Sequence, residues 1–137
     1  MAPSSDLTDL VSAIAFDTDG LVPAIAQQHD TGEVLMMAWM NRDAINETLN
    51  TGRVCYYSRS RAGLWRKGET SGQVQHLKEL RVDCDGDTLL LLVDQTGVAC
   101  HTGRRSCFYR AAKDGTIVTI QEVETSPERL YGRIGER

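Results

Sequence analysis

No apolar run in this chain approaches the roughly 18 residues that a membrane-spanning helix needs, so a helical span is excluded. The first residues, MAPSSDLTDL, lack a basic segment followed by an apolar one, and they do not read as a secretory signal. An excess of positive charge is missing too. Fifteen Lys and Arg face 19 Asp and Glu, a formal net charge of −4, which argues against nucleic acid as the main partner. C-x-x-C pairs are absent, and with them the zinc-ribbon and thioredoxin-like readings of the cysteines. No internal repeat, low-complexity segment or linker interrupts the 137 residues, which read as one domain over 1–137 with a polar tail over 124–137. The expected location is cytoplasmic, and in a reducing compartment clustered cysteines point to metal or catalysis rather than to disulfides.

What the chain does have is concentrated in residues 82–107, VDCDGDTLLLLVDQTGVACHTGRRSC. Asp83, Asp85 and Asp87 alternate with Cys84 and Gly86, and Cys100, His101 and Cys107 follow. Carboxylates suit hard cations such as Mg²⁺, Mn²⁺ or Ca²⁺, whereas thiolates suit Zn²⁺. Two metal sites interleaved in one segment is the simplest reading. If residues 83–85 continue a strand, Asp83 and Asp85 share one face and Cys84 the other. Asp83 and Asp87 would then lie roughly 13 Å apart at about 3.3 Å per residue, too far for one small ion unless the chain bends at Gly86. An EF-hand is excluded, because its loop needs glycine at the sixth position and Gly86 is the fourth. Asp-Gly-Asp is also ordinary turn chemistry.

The thiols carry a different implication. Three ligands, Cys84, Cys100 and Cys107, leave one tetrahedral position open, as in catalytic zinc sites. Three thiolates make zinc a weak Lewis acid, so a bound water needs a base nearby. His101 is the first candidate and Glu69 the second; the alternative for His101 is that it only orients a ligand. Cys55 stands apart and reads as a small buried hydrophobe. His29 and His76 read as surface residues.

The rest of the pattern is mainly β (α+β), an antiparallel, barrel-like sheet with two short helices. A helix capped by Ser4 or Ser5 runs through Leu7, Leu10, Val11, Ile14 and Ala15. Strands are expected over 21–28 and 33–40 around an Asp30-Thr31-Gly32 turn, then a helix over 42–50 between Asn41 and Gly52. Further strands are expected over 54–58, 76–84 and 88–95, the last buried on both faces along Leu89–Val93. A hairpin over 108–112 and 116–123 turns at Asp114-Gly115. Residues 58–75 read as a loop, either a solvated connection or an anion-binding segment with donors from Ser58, Arg59, Ser60, Arg61, Arg66 and Lys67.

Three segments, YYSRSRAGLWRKGETSG, VDCDGD and GVACHTGRRSCFYR, resemble phosphoribosyl-AMP cyclohydrolases, and the likeness spans about residues 20–125. The resemblance implies hydrolysis of the N1–C6 bond of the adenine ring in N1-(5-phosphoribosyl)-AMP, a step of histidine biosynthesis, with the chain similar to monofunctional members. It implies one Mg²⁺ per subunit on Asp83, Asp85 and Asp87, and one Zn²⁺ per subunit on Cys84, Cys100 and Cys107. It implies an intertwined homodimer whose zinc ligands come from both chains, Cys84 from one and Cys100 with Cys107 from the other. Substrate contacts are expected from Ser58, Arg59, Ser60, Arg61, Trp65, Lys67 and Ser71, which lie in the first segment and suit a small-molecule nucleotide with two phosphates. Attack of a zinc-activated water on an aromatic C6 is also what zinc deaminases do to adenine, but their H-x-E and P-C-x-x-C signature is absent. A structural-zinc module would need a fourth protein ligand, and no fourth cysteine lies nearby.

Overall fold

The computed structural model describes residues 5–126. Period-two alternation sets the core. In β1 (Val22–Gln28) the residues Val22, Ala24, Ala26 and Gln28 point inward, and in β6 (Leu89–Gln95) Leu89, Leu91, Val93 and Gln95 do the same. Leu90 and Leu92 are only half-buried, so the expectation of a strand buried on both faces is corrected. The apolar run reflects a core face plus a partly covered outer face. β2 (Val34–Met40) and β3 (Cys55–Ser58) continue the core through Leu35, Met36, Met40, Cys55 and Tyr56.

Six strands form one curled sheet, a half-barrel, in the order β4-β3-β2-β1-β6-β5. All neighbours are antiparallel except β1 and β6, which run parallel with Ala24 opposite Leu89 and Gln28 opposite Val93. This parallel pair matters for the site, because it aligns the ends of β1 and β6. The sheet's edges are β4 (Gly63–Arg66) and β5 (Gln75–Val82). β4 lies inside the stretch expected to be loop. Its four residues pair with β3, Cys55 opposite Arg66 and Ser58 opposite Gly63, so a neighbouring strand recruits a segment whose own composition is too polar and too short to announce it.

α2 (Arg42–Thr51) forms where expected. The Asn41 side chain caps it by accepting from the Ala44 N–H at 2.8 Å, and Gly52 ends it at φ 77°. It lays Ala44, Ile45 and Thr48 on the core. α1 (Ser5–Ser12) stops before Ala13, short of the expected Ala15; Ser4, one of its two expected caps, lies outside the described residues, as does the tail beyond 126. Val11 and Ile14 bring this segment onto the core. The last hairpin is shorter than expected, β7 (Arg110–Lys113) and β8 (Thr116–Thr119), and forms a separate two-stranded sheet. It turns at Asp114 (φ 53°) and Gly115 (φ 80°), and it leaves Ile117 75% exposed.

Candidate functional site

β5 ends at Val82, so residues 83–88 are a turn and not strand; the opposite-face arrangement of Cys84 and its flanking aspartates is corrected accordingly. The bend needed at Gly86 is present. Gly86 sits at φ 80°, and a Cβ there would lie 2.4 Å from the Ala13 carbonyl oxygen, so glycine is required twice over. Its own carbonyl accepts from the Ala15 N–H at 2.7 Å, which docks the turn on the segment after α1. Asp83 organises the rest, its Oδ1 accepting from the backbone N–H of Asp87 (2.9 Å) and Thr88 (3.2 Å). Carboxylate oxygens of Asp83, Asp85 and Asp87 then all lie within 4.8 Å of one another, exposed to solvent. Ligands on opposite sides of a divalent cation bound through oxygen stand about 4–5 Å apart, so the triplet fits a hard cation.

Electrostatics agree with that fit. The Asp87 carboxyl is raised above its ordinary range, chiefly by hydrogen bonding with Asp85 and Asp83 and by their negative charge. At Asp83 partial desolvation pushes upward, but hydrogen bonds from Asp87 and the N–H groups of Thr88 and Asp87 outweigh it, and the net shift is down. Carboxylates crowded in this way favour a bound cation.

Cys100 and Cys107 occupy the other end of β6. The loop between them folds back, with Ala99 N–H donating to the Arg105 carbonyl (3.0 Å) and Cys100 N–H to that of Arg104 (3.1 Å). Cys107 N–H donates to Leu35 O on β2 at 2.7 Å. All four cysteines of the chain are free thiols. Although Cys107 as a residue is exposed, its thiol is desolvated; burial, then the neighbouring Cys100 thiol with which it hydrogen-bonds, pushes it up to about 12. Thr102 Oγ1 donates to Cys100 Sγ at 3.1 Å. Two adjacent free sulfurs fit half of a zinc site.

Cys84 is not with them. It belongs to the aspartate turn at the start of β6, and seven residues of strand separate it from the thiol loop, about 20 Å at 3.3 Å per residue. Zinc–sulfur bonds are about 2.3 Å, so one chain cannot bring the three sulfurs together on one ion. Among the described residues, the aspartate triplet is the one group of three potential ligands within 4.8 Å of each other.

The expected substrate residues divide between two depressions. Ser58, Arg59, Ser60 and Trp65 line an open groove of about 700 Å³ together with Trp39 and Tyr57. The Arg59 guanidinium lies over the Trp39 ring at 4.6 Å, and the Ser58 and Ser60 hydroxyls are 3.3 Å apart. Trp65 also leans on Tyr56, ring centres 5.5 Å apart. Lys67 and Glu69 line a second cleft of about 370 Å³ with Arg53 and Arg66. Arg66 is engaged by Glu47 of α2 in a two-pronged pair (2.7 and 2.8 Å), which removes it from the free anion donors. Lys67 is buried, 7% exposed, donating to Gln73 O at 3.3 Å; burial lowers its pKa, and the nearby Cys107 and Cys100 sulfurs oppose that shift. It therefore stands on the thiol side of the sheet. Arg61 is exposed, its N–H donating to Ser58 Oγ, and Ser71 is a turn residue accepting from Gln73 N–H. His101 is exposed at the tip of the thiol loop, and His29 and His76 are exposed as expected.

Sequence reasoning missed a buried polar chain behind the thiols. Tyr56 Oη donates to Gln75 Oε1 (2.7 Å), and Gln75 Nε2 donates to Gln95 Oε1 (2.8 Å). The signal was there: Gln28 and Gln95 fall at inward-facing parity of otherwise apolar strands.

Residues 36–109 match the family model of Phosphoribosyl-AMP cyclohydrolase. A protein of that name from Rhodospirillum centenum is 72% identical over 127 residues, 93% of this chain and 96% of the relative. Relatives of the same name from Granulibacter bethesdensis and Paramagnetospirillum magneticum are 73% and 66% identical, covering 92% of this chain and 99% and 96% of their own lengths. With a matched thiol pair at one end of β6, an aspartate turn at the other, and this identity over nearly the whole length, the chain belongs to the phosphoribosyl-AMP cyclohydrolase family.

Proposed function

We propose that this protein hydrolyses the N1–C6 bond of the adenine ring in N1-(5-phosphoribosyl)-AMP, a step of histidine biosynthesis, at a zinc site shared between two copies of the chain. Water oxygen bonds to C6, the bond to N1 breaks with its electron pair going to N1, and N1 takes up a proton. The observation that carries this reading is the free Cys100–Cys107 pair beside buried Lys67 past one end of β6, with Cys84 in the aspartate turn before the other end.

Cys84 of one subunit with Cys100 and Cys107 of the other would hold Zn²⁺ and leave its fourth position open. Zinc bound there would acidify a water molecule and so supply a nucleophile near neutral pH. Glu69 and His101 are the bases that would accept the water proton: Glu69 shares a cleft with Lys67, and His101 adjoins Cys100. Lys67 places a buried positive charge where a tris-thiolate site would carry net negative charge, which offsets the cost of burying both. Asp83, Asp85 and Asp87 would hold Mg²⁺, and Ser58, Arg59, Ser60 and Arg61 one phosphate, with Trp39 fixing the Arg59 plane. Exposed Met37 and Leu64 on the outer sheet face and Phe108 and Ile117 near the hairpin offer apolar area to a second copy. A cytoplasmic location suits a biosynthetic step on a phosphorylated nucleotide.

The test follows ring opening by ultraviolet absorbance on N1-(5-phosphoribosyl)-AMP, with and without a zinc chelator. Turnover abolished by the chelator and restored by Zn²⁺ is expected; no turnover by the metal-replete protein would overturn the activity, and full turnover by metal-free protein the zinc mechanism.

A further inference from the structure

The two arginines of the HTGRRS loop stand side by side and face different ways. Arg104 lies over the Tyr109 ring at 4.0 Å and donates to Gln121 O at 3.0 Å, toward the segment after the hairpin. Arg105 turns inward between the ends of β1 and β6. Its Nη2 donates to Gln28 Oε1 (2.9 Å), its Nη1 to Gln95 O (3.3 Å) and to Gly97 O, and its Nε to Glu33 Oε1 (3.4 Å). The acceptors come from β1, β6, the loop after β6 and the turn before β2, so one planar group ties four parts of the chain to the loop. Gln28 Oε1 also accepts from Gln95 N–H at 2.9 Å, which fixes the acceptor itself. The next residue is held just as firmly: Ser106 is buried, its Oγ donates to Val34 O (2.7 Å), and its N–H donates to Gln121 Oε1 (2.9 Å).

We propose that Arg105 is a positioning residue for the thiol half-site: it holds Cys100 and Cys107 at a metal-ready spacing before any ion or partner subunit arrives. Without that tie the loop keeps its anchors at Ser106 and Cys107 but loses its hold on the ends of β1 and β6, and the entropy of restoring that order on binding would come out of the metal affinity. Groups that hold metal ligands from behind typically change affinity 10–100-fold when removed. A lysine cannot substitute, since a single ammonium on a flexible stem does not span acceptors that diverge around a planar fork.

This rests on the reading of Cys100 and Cys107 as zinc ligands, and the experiment keeps the two apart. Metal-free full-length protein is titrated with Zn²⁺ against a chromophoric chelator. Arg105→Gln is expected to weaken zinc binding 10–100-fold and Arg105→Lys about tenfold. Ile45→Val, a trim on the buried face of α2 that removes no partner of the loop's hydrogen bonds, lowers stability alone and is expected to stay within about twofold. Arg105→Gln binding zinc no more weakly than Ile45→Val, at comparable melting midpoints, overturns the proposal while leaving the ligands in place. Failure of the unaltered protein to bind zinc overturns both. If Arg105→Gln does not fold, Arg105→Lys decides, and unchanged affinity there counts against the proposal.

Discussion

The two ends of β6 are built on opposite plans. At its start, six consecutive residues close a turn on themselves; Asp83 receives the N–H groups of its own near neighbours, and three carboxylates converge in solvent. At its end, the loop that carries two thiols is anchored through Arg105 and Ser106 to partners as far away in sequence as Gln28 and Val34, in partly buried surroundings. A hard cation that keeps several waters needs little more than a few exposed oxygens on a bent chain. A soft-ligand site must be desolvated and fixed before it excludes competitors, and that takes the fold. The first end should therefore tolerate change gracefully, and the second should fail outright.

The largest expected effect is at the thiol end. Cys100→Ala or Cys107→Ala should abolish both zinc retention and turnover, read by metal analysis of purified protein beside the ultraviolet assay, because the remaining sulfurs cannot hold an open site. Stoichiometric zinc in either variant would erase the contrast. Asp85→Asn at the other end should raise the Mg²⁺ needed for half-maximal activity about tenfold or more and leave zinc content unchanged. Zinc lost in step with activity would mean that the two ends are one site.

The same contrast explains what was readable in the sequence. The aspartate turn was legible because its carboxylates and its bending glycine are contiguous, and simple distance arithmetic demanded the bend at Gly86. The cysteines of the thiol loop were legible as candidate ligands, but the structure of the loop was not. Arg105 and Ser106 look like solvated loop residues until Gln28, Gln95 and Val34 are brought beside them by β1–β6 and β1–β2 pairing. Arg66 and Lys67 have partners that their own segment does not reveal, for a related reason. One is captured by Glu47 on α2, and the other is buried next to sulfurs that lie 33 and 40 positions further on. β4 was missed because its pairing energy comes from β3, not from GLWR itself. The core strands, α2 and the last hairpin were readable because alternation, Asn41 and Asp114-Gly115 act locally.

A moderate effect is expected in the groove away from both ends. Arg59→Ala should raise KM about tenfold and change kcat little, since a phosphate remote from C6 is held equally in ground and transition states. Steady-state kinetics that leave KM unchanged would return Ser58–Arg61 to the status of a solvated connection.

The smallest effect is on stability against pH in the metal-free protein. Burial raises Cys107 to about 12 and Cys55 to about 11 from an ordinary 9.0. A group whose folded pKa is raised contributes stability that is complete below pH 9 and is lost as pH climbs toward the folded value. The thermal midpoint should thus fall between about pH 9 and 11, with the lowered Lys67 offsetting part of the loss. Zinc-loaded protein should fall less, as its thiols have already given up their protons. Equal slopes with and without zinc would detach Cys107 from the metal.

The central claim is that the ends of β6 meet only across two chains, and mixing tests it most directly. Cys84→Ala and Cys107→Ala proteins, each inactive, are combined under conditions that exchange subunits. A mixed dimer carries one intact site and one lacking two ligands. Random exchange makes about half the dimers mixed, so roughly a quarter of the unaltered protein's sites and activity should return, together with the same fraction of its zinc. No recovery despite verified exchange would contradict the shared site.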